Sequence, residues 1–210
     1  MIDVSLLRIL AGILLTSSFL LIYQVNSGGN KDSEGFDVKK EVIEPPSIQV
    51  AGNIVTIFVP MIAVVLLILF PGTVYGTVLN IQFYGNTLIQ VLGVVIYLAG
   101  AILLLWSSKT LGKYDTGRIA VAEDHILVDT GPYARVRHPG YVATFMLALS
   151  VFLILLNIIL VLDLIAAAAY FVYRARLEED LLSSEENLGD QYRTYIQRTG
   201  RFFPRLGRNP

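Results

Sequence analysis

The 210-residue chain contains no cysteine, which excludes a disulfide framework, a thiolate metal site and a cysteine nucleophile. It has two histidines, His125 and His138, thirteen residues apart with no ligand spacing around either, so no metal site is expected. The net charge is −1 and the basic residues are not gathered into one patch, so nucleic acid is not an expected partner. No Gly-rich dinucleotide loop is present. From Ser47 to Ser108 there is no Lys, Arg, Asp or Glu at all. That stretch is long enough for two membrane spans of about 20 residues each. With 54% hydrophobic residues and a mean hydropathy of +0.62, the chain reads as an integral membrane protein.

Five hydrophobic segments predict an all-α, polytopic fold with about five transmembrane helices. They run about Leu6–Tyr23 (interrupted only by Arg8), Ile48–Phe70, Leu88–Trp106, and two within the block Pro139–Tyr173. Pro71-Gly72 is a turn signal that closes the second. The block 139–173 is too long for one span and just long enough for two short ones. A turn near Asn157 would make it a helical hairpin; one long tilted helix is the alternative. The first segment reads as a retained span and not a cleaved signal, because the apolar run is long and no clear small-x-small site follows. Two regions are expected. Residues 1–108 hold three helices and a loop at about 24–47; residues 109–210 hold a cytoplasmic segment, the hairpin and a tail helix. Residues 24–47 carry three lysines, 109–137 five basic residues and 174–210 seven arginines, while the intervening connections carry none. Positive residues favour the cytoplasmic side, so these three pieces share that side and the N-terminus lies outside.

Most of the chain's chemistry sits in three polar pieces. The first is His125-Ile126-Leu127-Val128, behind Glu123 and Asp124. The second, Gly131 to Tyr141, holds Tyr133, Arg135, Arg137, His138, Pro139, Gly140 and Tyr141 at the mouth of a membrane segment. Proline suits the first helical turn, and the free N–H groups there favour a carboxylate or phosphate. The third is Arg174 to Leu182, in which Arg174 and Glu178 lie one turn apart on one face, as do Arg176 and Asp180. Each piece has a plainer reading alone. Arginines flanking a span anchor topology, an i,i+4 pair is commonly a solvated ion pair, a histidine can cap a helix, and interfacial tyrosines belong to the aromatic belt. Function is argued from all three pieces lying on one side of the membrane.

The ordered set His125-Ile-Leu-Val, Gly131-Pro-Tyr, Arg137-His-Pro-x-Tyr141, Arg174-x-x-x-Glu178-Glu179, Gly189-Asp-x-Tyr192-x-x-Tyr195 and Pro204 resembles the isoprenylcysteine carboxyl methyltransferase family. More broadly, it is similar to membrane methyltransferases that include phospholipid N-methyltransferases. The resemblance covers about Lys109–Pro204. It implies S-adenosylmethionine as cofactor, in a cytoplasm-facing pocket of the C-terminal half. His125–Val128, Tyr133, His138, Pro139, Gly140 and Tyr141 would surround it, and Glu178 would bind it. Arg174 would reach a lipophilic methyl acceptor entering from the bilayer and pair with its carboxylate. Between Glu178-Glu179 and Gly189 the chain is about two residues longer than the family pattern. Counting back from Gly189 would select Arg176 and Asp180; the Glu-Glu-x-Leu-Leu run selects Arg174 and Glu178. The implied reaction is direct in-line methyl transfer. The rivals are transfer to an ethanolamine-type lipid, a nicotinamide-dependent membrane reductase, and a non-catalytic membrane protein with a degenerate pocket.

Overall fold

A computed structural model describes residues 4–32, 37–75, 78–81 and 83–205, with backbone only for Val4, residues 21–32, Thr73 and Tyr75. The chain is mostly helical. Helix α1 spans Val4–Asp32 and strand β1 Val38–Glu41. Helices α2 (Pro46–Asn53) and α3 (Val59–Leu69) are joined through a π-turn at Ile54–Phe58. Then come the short α4 (Pro71–Tyr75), α5 (Asn86–Leu111), strand β2 (Ala120–Ala122), α6 (Pro139–Leu155), α7 (Ile158–Leu182) and α8 (Gly189–Arg198). Among the described residues, three helices are long and apolar enough to cross a membrane: Pro46–Leu69, Asn86–Tyr114 and Ile158–Leu182. Ser5–Leu20 and Pro139–Leu155 are shorter apolar helices.

One sequence expectation gains an addition and another is corrected. The chain is mostly helical, as expected, with one short antiparallel pairing of β1 and β2 added. The loop expected from residue 24 is helical through Asp32, since α1 continues past Tyr23; residues 33–36 of that loop lie outside the described residues. Composition there argues for a loop, but propensity is a weak prior that context overrides.

Packing divides the chain into two compact units that interleave along the sequence. The first comprises Met1–Ile22, Pro45–Ala101 and Ala143–Tyr170. Helix α5 is apolar outward and small or polar inward. On α5, Leu88, Val91, Leu92, Val95 and Leu98 are exposed, whereas Gln90, Gly93, Tyr97 and Gly100 are buried. Such a face suits lipid, where helices associate through small residues and interhelical hydrogen bonds. Accordingly, Gln90 Nε2 donates to the Ile154 carbonyl at 3.0 Å, and the Tyr97 hydroxyl lies 2.7 Å from Ser17 Oγ and 2.9 Å from Ser18 Oγ. A Cβ on Gly93 would lie 2.8 Å from Ile154 Cγ1 and 3.1 Å from the Ser150 carbonyl oxygen, so α5 and α6 meet at near backbone contact.

The turn expected near Asn157 is present: α6 ends at Leu155 and α7 begins at Ile158. No glycine makes it. Leu156 takes the left-handed conformation, with φ of 50°, a backbone state uncommon for a non-glycine residue. A third segment holds it: the Ile81 N–H donates to the Leu156 carbonyl at 2.7 Å and the Ile158 N–H to the Leu79 carbonyl at 2.9 Å. Asn80 Nδ2 adds a bond to the Leu155 carbonyl at 3.1 Å.

The second unit comprises Tyr23–Glu44, Ile102–Val142 and Phe171–Pro210. Residues before the first long span therefore pack with the C-terminal region. The two-stranded sheet makes that link, with Lys40 opposite Val121 and Glu41 opposite Ala120. Beneath it Ile119, Val121 and Leu181 form an apolar cluster joined by Val42, Leu177 and Leu182. Leu177, Leu181 and Leu182 thus anchor the end of α7 by packing.

Candidate functional site

Pro139 opens α6, where a missing N–H costs nothing, and the chain just before it is pinned to the segment after α8. The Arg137 N–H donates to the Gly200 carbonyl at 2.9 Å and the His138 N–H to the Arg201 carbonyl at 3.1 Å. Return of the chain through α7 sets Tyr141 against Phe171, with ring centroids 5.2 Å apart. Two adjacent glutamates of α7 then meet this corner in different ways.

Glu179 is buried in a cationic clamp. Its carboxylate accepts from Arg137 Nε at 2.8 Å, His138 Nε2 at 3.1 Å and Arg201 Nη2 at 2.5 Å. Arg137 also donates from Nη1 to the Thr199 carbonyl at 2.6 Å, tying the tail after α8 to the start of α6. Glu178 accepts from the Tyr141 hydroxyl, and its Oε2 lies 3.1 Å from His138 Nδ1. Both nitrogens of His138 therefore face carboxylate oxygens, an arrangement that only an imidazolium satisfies with two donors. Burial by itself pulls the His138 pKa down, but hydrogen bonds to Glu178 and Glu179 outweigh it and hold the pKa above its ordinary value.

Arg174 lies one helical turn before Glu178, with its Cζ 5.9 Å from the Tyr141 ring centroid. It donates from Nη2 to the Gly117 carbonyl at 3.0 Å, and its Nε is 3.4 Å from Glu44 Oε2. Arg174 and Glu178, the one-turn neighbours read from the sequence, thus have separate partners in Glu44 and His138. Tyr141 is the neighbour they share. The other pair, Arg176 and Asp180, is exposed.

The remaining sequence candidates sort by contact. Tyr133 is half-buried, and burial with the negative charges of Asp115 and Glu178 raises its pKa. The Tyr195 hydroxyl donates to the Tyr133 carbonyl at 2.6 Å. Gly140 is half-buried, and a Cβ there would meet no atom within 4 Å. There is open space on that side of the helix start. His125 packs on Tyr114, with centroids 4.4 Å apart, and its buried Nδ1 has no hydrogen-bond partner among the described residues. Leu127 and Val128 are half-buried, whereas Ile126 is 63% exposed.

Four residues beyond the sequence candidates belong to this corner or to its support. Asp115 follows Tyr114, and its carboxyl pKa is raised by burial, against a hydrogen bond from Ser108 that lowers it, with the nearby Glu178 raising it further. Glu44, Glu179 and Arg201 are the others. Only Glu179 had a sequence signal, as the second half of the Glu178-Glu179 pair.

Residues 91–184 match the model of the isoprenylcysteine carboxyl methyltransferase (ICMT) family. That stretch is just under half of the chain, and over it the chain is similar to the ICMT family. The chain is 36% identical over 84 residues to a protein-S-isoprenylcysteine O-methyltransferase of Tribolium castaneum, covering 40% of this chain and 29% of that relative. A solved structure titled as the eukaryotic intramembrane Ras methyltransferase ICMT superposes with a TM-score of 0.52 at 22% identity, over 78% of this chain and 54% of the other. The fold is therefore shared, and the chain spans less than two thirds of the length of these relatives. The family match and the helices long and apolar enough to cross a membrane support an integral membrane protein.

Proposed function

We propose that the chain is an S-adenosylmethionine-dependent, multi-pass membrane methyltransferase of about five spans. It methylates the carboxylate of a prenylated cysteine or a similar lipophilic acceptor, and its C-terminal half faces the cytoplasm. One observation carries the reading. Tyr141, at the first turn of α6, touches both Glu178 and Arg174, so an acidic and a basic group flank one aromatic ring beside the open side of Gly140.

The residues fit the cofactor's chemistry. Glu178 and Asp115 suit an ammonium group or ribose hydroxyls, the faces of Tyr133 and Tyr141 suit a positively charged sulfur, and the N-terminus of α6 suits a carboxylate. His125, with its unpartnered Nδ1, together with Ile126, Leu127 and Val128, would line the same pocket. S-adenosylmethionine, when bound, supplies an electrophilic methyl group for in-line transfer to an acceptor oxygen. Arg174 would orient the acceptor carboxylate through its guanidinium fork. That carboxylate is already deprotonated at neutral pH, so the new C–O bond forms as the C–S bond breaks and no general base is required. The protein contributes positioning and exclusion of water. The basic residues of 109–137 and 174–210 support a pocket on the cytoplasmic side.

Isothermal calorimetry on the detergent-purified chain tests the cofactor assignment: S-adenosylmethionine should bind to the wild type and not to Glu178→Ala. No binding to the wild type would end the proposal. Offering a prenylated cysteine and an ethanolamine lipid side by side separates carboxylate from amine transfer.

A further inference from the structure

Beyond α8 the chain runs back beside the start of α6 as a short ribbon. Val136 bridges Gly200 in parallel. The Gly200 N–H donates to the Arg135 carbonyl at 3.1 Å, and the Arg137 N–H returns a bond to the Gly200 carbonyl. The ribbon then folds over itself. A Cβ on Gly200 would lie 1.6 Å from the Phe203 carbonyl oxygen and 3.4 Å from the Arg205 nitrogen, so only glycine fits beneath this turn. The fold-back sends two adjacent rings different ways. Phe202 is half-buried near His138, with centroids 5.9 Å apart, whereas Phe203 is 80% exposed.

The charges around the turn do not cancel. Glu179 is taken by Arg137 and Arg201, and Asp129 by Arg198; the charge of Asp180 acts on Arg201. Arg135 and Arg205 are exposed, and among the described residues neither has a carboxylate partner. Both backbones close on Gly200, so the two arginines bracket the glycine under Phe203. Arg205 donates from Nη1 to the Gln197 carbonyl, which orients the guanidinium and leaves further N–H donors for another acceptor. The level of the turn is set by its pairing with residues 135–138, directly ahead of an apolar helix, Pro139–Leu155, that carries no charged residue. Arginines that merely anchor a span reach the head groups on flexible stems, and such anchoring needs no glycine-locked turn or outward ring.

We propose that Arg135, Phe203 and Arg205 form a binding site for an anionic phospholipid, with the head-group phosphate between the two arginines and Phe203 seated among the acyl chains. Charge complementarity selects this occupant. A zwitterionic head group brings its own ammonium toward two uncompensated cations, and an anionic one does not. The ribbon also carries Arg201 to Glu179 and receives the His138 N–H at the Arg201 carbonyl, so a lipid on the turn braces the chain that enters α6.

Two experiments on the full chain test the site. In detergent, native mass spectrometry follows titration with phosphatidylglycerol and phosphatidylcholine of matched chains. The wild type should prefer phosphatidylglycerol by about thirtyfold, about fivefold from each arginine. Arg135→Gln combined with Arg205→Gln should lose that preference, while Phe203→Ser should weaken both lipids and keep it. Equal wild-type affinity for the two lipids, or a preference unchanged in the double variant, would overturn the site. Displacement of phosphatidylglycerol by free glycerol phosphate would do so too, by showing a site for soluble anions. The second experiment uses the absence of native cysteine, which makes an introduced one a unique label site. In vesicles containing phosphatidylglycerol, a bimane on Phe203→Cys should be quenched by lipids with a nitroxide near the head group, and one on Arg193→Cys should not. Equal quenching at the two positions refutes the seating of Phe203. A bimane on Leu147→Cys, within α6, reports separately whether that helix enters the bilayer. Unchanged unfolding temperatures of the variants without lipid show that the readout is lipid recognition. No measurement here uses S-adenosylmethionine, so failure of the methyltransferase reading would leave these results unaffected.

Discussion

Glu178 and Glu179 are neighbours in sequence, and neutralising each should do opposite things. The Glu179 side chain is 7% exposed and faces Arg137, His138 and Arg201. Glu179→Gln keeps the shape but removes the carboxylate that those three cations share. Breaking a buried ion pair from one side costs about 3–5 kcal/mol. At about 2–4 °C per kcal/mol for a chain of this size, thermal unfolding should fall by about 6–20 °C. Glu178 is 26% exposed on its side chain, and His138 keeps Glu179 when Glu178 is neutralised. Solvent-screened pairs are worth about 0–1 kcal/mol, so Glu178→Gln should lower Tm by no more than about 4 °C. Cofactor affinity should invert the order. Glu178→Gln should weaken S-adenosylmethionine binding more than tenfold, and Glu179→Gln, assayed well below its Tm, should bind within about threefold of wild type. Differential scanning fluorimetry and calorimetry on the same detergent preparations give both numbers. Equal Tm losses, or cofactor binding lost in Glu179→Gln and kept in Glu178→Gln, would refute the separation of a structural from a ligand-facing glutamate.

Three further outcomes follow from the geometry. The folded pKa of His138 is raised by Glu178 and Glu179, so its stabilisation is fully present below the ordinary value of about 6.5 and is lost as pH rises through the folded pKa. The Tm gap between wild type and His138→Gln should therefore narrow as pH is raised from the acid side, and a gap that widens would show the sign to be wrong. Gly140→Leu should fold, since its Cβ meets nothing within 4 Å, yet should block S-adenosylmethionine in calorimetry; normal binding would remove that open side from the pocket wall. Gly93→Val should cost about 1–3 kcal/mol by overpacking against Ile154 and the Ser150 carbonyl, whereas Gly12→Val, with open space around it, should leave Tm within about 2 °C.

The parts of this molecule legible from its residues are those written in local runs. The uncharged stretch 47–108 shows where helices can cross, the length of 139–173 suits a fold-back into two short spans, and Pro139 marks the start of a helix. Pairings across the chain leave no such trace. Asn80 stabilises a turn at Leu156 that contains no glycine, so no turn signal marked it. Glu179 meets Arg201 through the tail beyond α8. Glu44 meets Arg174 across 130 residues, because a strand of four exposed residues finds β2. That strand was hidden in a segment whose composition reads as a loop. The choice between Arg174 and Arg176 turns on the facing of one helix, which spacing against a motif could not decide; Arg174 is half-buried and Arg176 exposed.

The central claim is methyl transfer from S-adenosylmethionine to a carboxylate carried on a lipid-soluble tail, and one measurement addresses it directly. The full chain, reconstituted in vesicles, is supplied with methyl-labelled S-adenosylmethionine and an S-prenylcysteine, and the lipid-phase label is then treated with base. A carboxyl methyl ester releases its label as volatile methanol, whereas an N-methyl group does not. The account predicts label in the lipid phase that is volatile after base and absent with Arg174→Ala. Label resistant to base, or no label from a wild-type protein that binds the cofactor, would contradict it.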